Sequence, residues 1–208
     1  MKFKHAIGIS LCGFVLSVGL MMGTQHGTQV VSADGTEVSA GQSLKVSYDH
    51  YSLMVNGERQ FIYSGEFDYW RLPSPSMWKD VLQKMKAAGF NAVTIYFNWG
   101  YHSAKEGQYD FSGIRDVDKL LDMAQDVGLY VIARPGPYIN AETDAGGYPD
   151  WILTDKGKAR TSDAEYTKQY MEWFDHINPI IKRHQITYGG NIILYQVKMN
   201  ILGPTPST

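Results

Sequence analysis

Tyr130-Val131-Ile132-Ala133-Arg134-Pro135-Gly136-Pro137-Tyr138-Ile139-Asn140-Ala141-Glu142 is the stretch whose reading decides the fold. Its first four residues form an apolar β-strand. Two prolines and a glycine are then expected to stop that strand abruptly in a stiff loop. Asp144, Gly146, Gly147, Tyr148, Pro149 and Trp151 follow closely. A carboxylate, a carboxamide, an arginine and several aromatics therefore gather where a strand ends. Polar groups beside aromatic faces suit a sugar, which has hydroxyl edges and apolar C–H faces. The plain alternative is a rigid turn with Glu142 as a solvated loop residue.

Working outward, strands and helices alternate. Val46 to Tyr63 partly alternates in polarity and is interrupted by Asn56-Gly57, a hairpin-turn dipeptide. Phe61 to Gly65 reads as a first strand, and Ser74 can cap the helix after it with Pro75 at the first helical position. Trp78, Val81, Leu82, Met85 and Ala88 fall on one face of that helix, which Gly89 ends. Ala92 to Phe97 is a second strand. The next helix carries Val117, Leu120, Leu121 and Ala124 and stops at Gly128, before a third strand from Leu129 to Ala133. Ser162 and Glu165 make a capping box for a helix with the stripe Tyr166, Tyr170, Trp173, Phe174 and Ile177, which Pro179 is expected to kink or split. Ile192 to Val197 is a fourth strand.

This alternation implies an α/β fold with a parallel sheet and right-handed crossovers. Pattern alone leaves a doubly wound sheet and a barrel both open. No Gly-rich phosphate turn follows the first strand, and polar residues collect after several strands instead. Ile95 and Val131 are expected among the apolar side chains facing the barrel interior.

The composition sets further limits. The chain has 208 residues, a formal net charge of −2 and 44% hydrophobic residues, enough apolar material for one core. Near-neutral charge gives no electrostatic case for nucleic acid or anionic lipid. Cys12 is the only cysteine and lies in the leader, and the six histidines show no metal-ligand spacing. No metal site is expected. Residues 1–33 read as a secretory signal: Lys2 and Lys4 precede an apolar run from Ala6 to Met22, and Val31-Ser32-Ala33 suits cleavage. An uncleaved anchor is the alternative. After cleavage no stable membrane insertion is expected, and the protein is expected to be secreted. Residues 34–45 read as a flexible lead-in.

Several blocks resemble retaining β-galactosidases of glycoside hydrolase family 35, most closely its fungal-like branch. They are Ser64-Gly65-Glu66-Phe67-Asp68-Tyr69-Trp70-Arg71-Leu72-Pro73, Lys84-Met85-Lys86-Ala87-Ala88-Gly89-Phe90-Asn91, Tyr96-Phe97-Asn98-Trp99, Arg134 to Trp151, and Ile193-Leu194-Tyr195-Gln196-Val197. All stand in one collinear order between Tyr48 and Val197. The resemblance implies the first four strands of an eight-stranded (β/α)8 TIM barrel over residues 46–197. It also implies cofactor-free hydrolysis of terminal non-reducing β-D-galactosyl residues, with a galactoside as partner.

The resemblance makes Tyr96, Asn140, Ala141 and Glu142 the substrate-binding residues: Tyr96 touching the sugar, the Ala141 backbone binding a hydroxyl, Asn140 and Glu142 holding others. For Tyr96 the alternative is a core aromatic. Arg71 orients a carboxylate or forms a structural ion pair, and the family often has histidine where Asp68 stands. Tyr69, Trp70, Trp99 and Trp151 line the pocket or pack.

Retaining hydrolysis needs two carboxyl groups. The family's acid/base is the last glutamate of Gln-Val-Glu-Asn-Glu, whereas this chain reads Gln196-Val197-Lys198-Met199-Asn200. Asn200 occupies the acid/base position, and an amide cannot donate a proton to a leaving oxygen as a carboxylic acid does. The family's nucleophile belongs to a seventh strand, beyond the four read here. On this reading the chain has no catalytic residue of its own and is an incomplete, inactive piece. Residues 198–208 read as a frameshifted tail, since Glu-Asn-Glu can be written GAA-AAT-GAA, which without its first G becomes AAA-ATG-AA and reads Lys-Met-Asn when a pyrimidine follows. Divergence into a non-catalytic, lectin-like galactoside-binding protein is the alternative. Translation of the neighbouring nucleotide frame past Val197 is expected to restore Glu-Asn-Glu and continue into a nucleophile-bearing strand; three frames without such similarity would exclude a frameshift.

Overall fold

The computed structural model describes residues 45–154 and 157–198, together with a short ladder in which β1 (Val30–Val31) pairs antiparallel with β2 (Glu37–Val38). Most of the expected signal and lead-in, and the tail from Met199 with Asn200, lie outside the described residues.

A three-stranded antiparallel sheet comes first, in the order β3 (Val46–Tyr48), β4 (Leu53–Val55), β5 (Glu58–Gln60). Its second turn is the expected one: Asn56 and Gly57 have φ of 55° and 85°, the pair of positive values a type I′ hairpin requires. The main sheet is parallel, in the order β6 (Ser64–Phe67), β7 (Ala92–Tyr96), β8 (Tyr130–Pro137), β9 (Ile192–Lys198). Helices α1 (Ser76–Ala87), α3 (Val117–Asp126) and α5 (Ala164–Arg183) connect the strands, and short α2 (Trp99–His102) and α4 (Asp150–Thr154) lie in the loops. Sequential parallel strands joined by helices are the repeating units of a β/α barrel.

The two faces of this sheet differ. Val93, Ile95, Val131 and Ala133 are fully buried in one cluster with Leu82, Leu120 and Trp173, so they face the helices. This corrects the expected orientation of Ile95 and Val131. Side chains alternate along a strand, and the opposite face therefore carries the other parity. Ser64 Oγ and Thr94 Oγ1 lie 2.9 Å apart there, with Glu66, Tyr96 and Arg134 grouped further along. At the amino end of the strands, Ala92, Tyr130 and Ile193 cluster with Val55 and Ile186, with Val46 and Leu53 packed against them, so the antiparallel sheet closes that end.

Three local expectations are corrected. The first parallel strand starts at Ser64 rather than Phe61, because the Asn91 side chain takes the preceding backbone. It accepts from Tyr63 N at 2.8 Å and donates to the Phe61 carbonyl at 2.7 Å. The cap of α5 is Asp163, whose carboxylate accepts from Glu165 N and Tyr166 N; Ser162 is one residue too early. Helix α5 also runs unbroken through Pro179. A proline inside a helix costs about 3 kcal/mol, but Ile177, Ile180 and Ile181 are buried around it, each worth roughly 1.5–3 kcal/mol. Asp175, whose carbonyl loses its donor, is exposed to water.

Strand β8 departs most from expectation. It continues through Arg134-Pro135-Gly136-Pro137 rather than stopping at Ala133. A register shift against β9 between Ala133 and Gly136 absorbs the missing proline donors. The Arg134 carbonyl accepts from Phe97 N at 3.0 Å, and the Pro135 carbonyl accepts from the Trp173 indole at 2.8 Å.

Beneath the loops, His102 is 1% exposed. Its Nδ1 donates to the Asp110 carbonyl at 2.8 Å, and Tyr69 Oη donates to Nε2 at 2.5 Å. Burial lowers its pKa from 6.5 to about 4, so the folded protein holds it neutral while the unfolded chain protonates it. Stability is present above pH 6.5 and declines as pH falls toward 4. Urea unfolding is expected to show a His102-dependent loss of roughly 2 kcal/mol between pH 6.5 and 5, absent in His102→Gln. Equal pH slopes in the two proteins would refute this.

Candidate functional site

The site is built where the parallel strands end. Glu66 on β6, Tyr96 on β7 and Arg134 on β8 share one face at that end, with Tyr96 directly opposite Arg134 in the ladder. Tyr96 Oη donates to Glu66 Oε1 at 3.1 Å and accepts from Arg134 Nη1. The guanidinium also lies 4.0 Å from the Tyr96 ring centroid, a cation–π contact. Burial raises the Tyr96 phenol pKa, and the Arg134 charge opposes it. Tyr96 is therefore a neutral phenol whose proton is directed at Glu66. The Arg134 side chain is 15% exposed and that of Glu66 58% exposed, so the carboxylate is the accessible end of the trio.

Beyond β8 the chain makes a compact turn. Asn140, Ala141 and Glu142 have successive φ values of 63°, 44° and 42°, an unusual run for residues other than glycine. Ile139 N donates to the Gly146 carbonyl at 2.9 Å and Thr143 N to the Asn140 carbonyl at 3.2 Å, closing the loop on itself. Gly146 is required by packing as well as by its φ of 64°, since a Cβ there would lie 1.9 Å from the Tyr138 ring. Tyr138 Oη in turn donates to Asn140 Oδ1 at 2.9 Å, on a residue that is itself exposed.

Arg71 ties this loop to the first strand. Its Nη2 donates to the carbonyls of Ala141 at 2.6 Å and Glu142 at 3.1 Å, and its Nε to Asp68 Oδ2 at 2.9 Å. Of the two roles open for Arg71, the ion pair is present, and Nη2 goes to backbone carbonyls. Burial raises the Asp68 pKa, against the opposing effect of Arg71.

Tyr96, Ile139 and Ala141 form one buried cluster with Trp70 packed against it. Three of the four expected binding residues are thus consecutive in one turn, and the turn packs on the fourth. Asn140 and Glu142 are exposed while Ala141 is buried. Tyr69 and Trp99 belong to the core, and Trp151 donates its indole N–H to the Ser103 carbonyl, leaving Trp70 as the aromatic beside the site. Sequence reading did not assign Arg134 to Tyr96 or Tyr138 to Asn140. Strand parity was the available signal for Arg134, hidden by the expectation that β8 had already ended. Among the described residues no group of three or more His, Cys, Asp or Glu side chains gathers to hold a metal ion.

Known proteins agree with this architecture. The exo-β-1,4-mannosidase of Opitutaceae bacterium strain TAV5 superposes with a TM-score of 0.54 at 16% identity, over 67% of this chain and 24% of that one. The endo-1,4-β-mannanase of Rhizomucor miehei does so with a TM-score of 0.53 at 16% identity, over 73% and 47%. Identities this low speak for the fold alone. In sequence, the protein named probable beta-galactosidase C of Aspergillus clavatus is 50% identical over 179 residues, 85% of this chain and 18% of that relative. Its namesake in Aspergillus fumigatus is 46% identical over 207 residues, 99% of this chain and 20% of that relative. The chain thus spans about a fifth of the length of these curated relatives. The family described as Glycosyl hydrolases family 35 matches residues 52–201, from the hairpin sheet through the fourth parallel strand, and the chain belongs to that family.

Proposed function

We propose that the carboxyl end of the parallel sheet binds the terminal β-D-galactosyl unit of a galactoside, and that the activity it serves is retaining β-galactoside hydrolysis without a cofactor. The observation that carries this reading is the turn Asn140-Ala141-Glu142 packed on Tyr96 beside Trp70. It brings exposed amide and carboxylate residues next to aromatic surface, which suits one pyranose ring. The names of the relatives at 43–50% identity support galactose as that sugar.

Tyr96, Asn140, Ala141 and Glu142 are the proposed binding residues. The proposed organisation is a signal over residues 1–33, a lead-in over 34–45, barrel units over 46–197 and an aberrant tail over 198–208, in a secreted protein. Double displacement needs an acid/base and a nucleophile about 5–5.5 Å apart. Asn200 at the proposed acid/base position supplies an amide instead. The 208-residue chain is therefore proposed to bind without turnover. That same residue favours a second reading, in which the protein is a non-catalytic galactoside binder.

Methyl β-galactoside titrated into the chain is expected to shift the resonances of Tyr96 and of residues 140–142. Glu142→Gln should weaken binding by about tenfold, the loss of a charge-assisted hydrogen bond. Nitrophenyl β-galactoside should stay intact, and Asn200→Glu alone should not start its hydrolysis, because the covalent step needs a nucleophile too. Absence of galactoside binding would remove the binding reading. Hydrolysis that follows the protein peak through repurification would show that the chain holds both carboxyl groups.

A further inference from the structure

Three consecutive residues other than glycine hold positive φ at Asn140, Ala141 and Glu142. A left-handed turn of this kind puts successive carbonyls on one side and successive N–H groups on the other. All three carbonyls have partners. Thr143 N takes that of Asn140, and Arg71 Nη2 takes those of Ala141 and Glu142. Among the described residues the N–H groups of Asn140, Ala141 and Glu142 have no partner, so they are free donors.

Arg71 lies 70 residues earlier in the chain than Ala141. Its own direction is set by the Asp68 carboxylate three residues before it, which accepts from Nε and leaves Nη2 for the loop. A guanidinium is planar, permanently charged and carries donors on separate nitrogens, so it can satisfy Asp68 and the loop at once. An ammonium holds its three donors on a single nitrogen and cannot span Asp68 and the loop from two separate atoms. Uncharged side chains cannot offer a charge-assisted bond to a carbonyl.

We infer that Arg71, aimed by Asp68, is a positioning residue that holds the Asn140-Ala141-Glu142 turn left-handed and so presents its free N–H groups and the flanking Asn140 and Glu142 side chains to a sugar hydroxyl. The inference rests on the galactoside reading for its ligand and on the backbone geometry for the rest. Arg71 acts through the loop, by its bonds to Asp68 and to the Ala141 and Glu142 carbonyls. Its side chain is 49% exposed, so truncating it removes little packing and leaves the core intact.

The test compares the full chain with Arg71→Lys, Arg71→Ala and Asp68→Asn by two readouts. The first needs no ligand: amide hydrogen exchange at Ile139, Thr143 and Gly146, whose N–H groups are bonded within the loop, with the amides of β7 as internal reference. In Arg71→Ala these three are expected to exchange about tenfold faster, in line with loss of charge-assisted bonds, while β7 is unchanged. Arg71→Lys should fall between, and Asp68→Asn should show a smaller effect of the same kind. The second readout is affinity for methyl β-galactoside, expected to fall in the same order while the melting temperature stays within a few degrees. Methylguanidinium added to Arg71→Ala should recover part of both. Unchanged exchange at Ile139, Thr143 and Gly146 in Arg71→Ala overturns the inference whether or not sugar binds. So does an affinity loss that simply follows the melting temperature. Altered exchange in a chain that never binds galactoside would sustain the clamp and remove the functional reading.

Discussion

Strand β8 passes two prolines without leaving the sheet, and the whole site depends on that passage. Pro135 and Pro137 bring no N–H to the ladder, so the strand needs other partners. The Phe97 amide and the Trp173 indole provide them at the carbonyls of Arg134 and Pro135. Trp173 is fully buried and stacks on Trp99, whose ring centroid is 6.2 Å away. A large aromatic core thus fixes a hydrogen-bond donor in place, and the donor fixes the strand. Only because β8 extends to Pro137 does Arg134 face Tyr96, and only then does the following turn reach the cluster of Tyr96 and Trp70.

The two faces of the main sheet differ in kind: one holds the core, the other carries the polar side chains of the candidate site. Val93, Ile95, Val131 and Ala133 are fully buried against the helices, and a side chain of the Val or Ile size there is worth roughly 1.5–3 kcal/mol. The other face carries Ser64, Thr94, Glu66, Tyr96 and Arg134, linked by hydrogen bonds, with Tyr96 also packed on Ile139, Ala141 and Trp70. Pairing is a consequence of that choice. A cation at Arg134 is tolerable at 15% exposure because a carboxylate, a phenol oxygen and an aromatic face surround it. The closed amino end behaves differently, since Ala92, Tyr130 and Ile193 meet apolar residues of the antiparallel sheet. Polarity therefore rises along the strands toward the loops, the end at which β/α barrels generally carry their sites.

Much of this was legible because the strongest signals are local and periodic. The α3 stripe Val117, Leu120, Leu121 and Ala124 is buried as its spacing demands, and Asn56-Gly57 turns the hairpin. The misses share one cause: a local rule was overruled by a distant partner. Pro135 looked like a strand stop because the indole that satisfies its carbonyl lies 38 residues away. Pro179 looked like a break, yet buried isoleucines around it hold the helix together. The orientation of Ile95 and Val131 failed for a different reason. An uninterrupted apolar strand does not say which face meets the helices, and only its polar neighbours of the other parity, Thr94 and Tyr96, distinguish the two. Around the site, residue types were readable, whereas the pairing of Arg71 with a backbone 70 residues ahead left no sequence signature.

The turn after β8 shows how a loop can hold an unfavourable backbone. Each residue other than glycine in the left-handed region costs roughly 1–2 kcal/mol, and three occur in a row. Charge-assisted hydrogen bonds contribute about 1.5–3 kcal/mol each when shielded, and less for a half-exposed guanidinium. The two from Arg71, with the Thr143 and Ile139 backbone bonds, are of the size needed to offset the cost. A right-handed turn would avoid the cost, but it would aim the carbonyls in other directions and lose their bonds to Arg71. Strain at these positions therefore sets the direction in which hydrogen-bond donors point. The sequence meets that requirement with ordinary L-residues whose side chains, Asn140 and Glu142, remain available beside the donors.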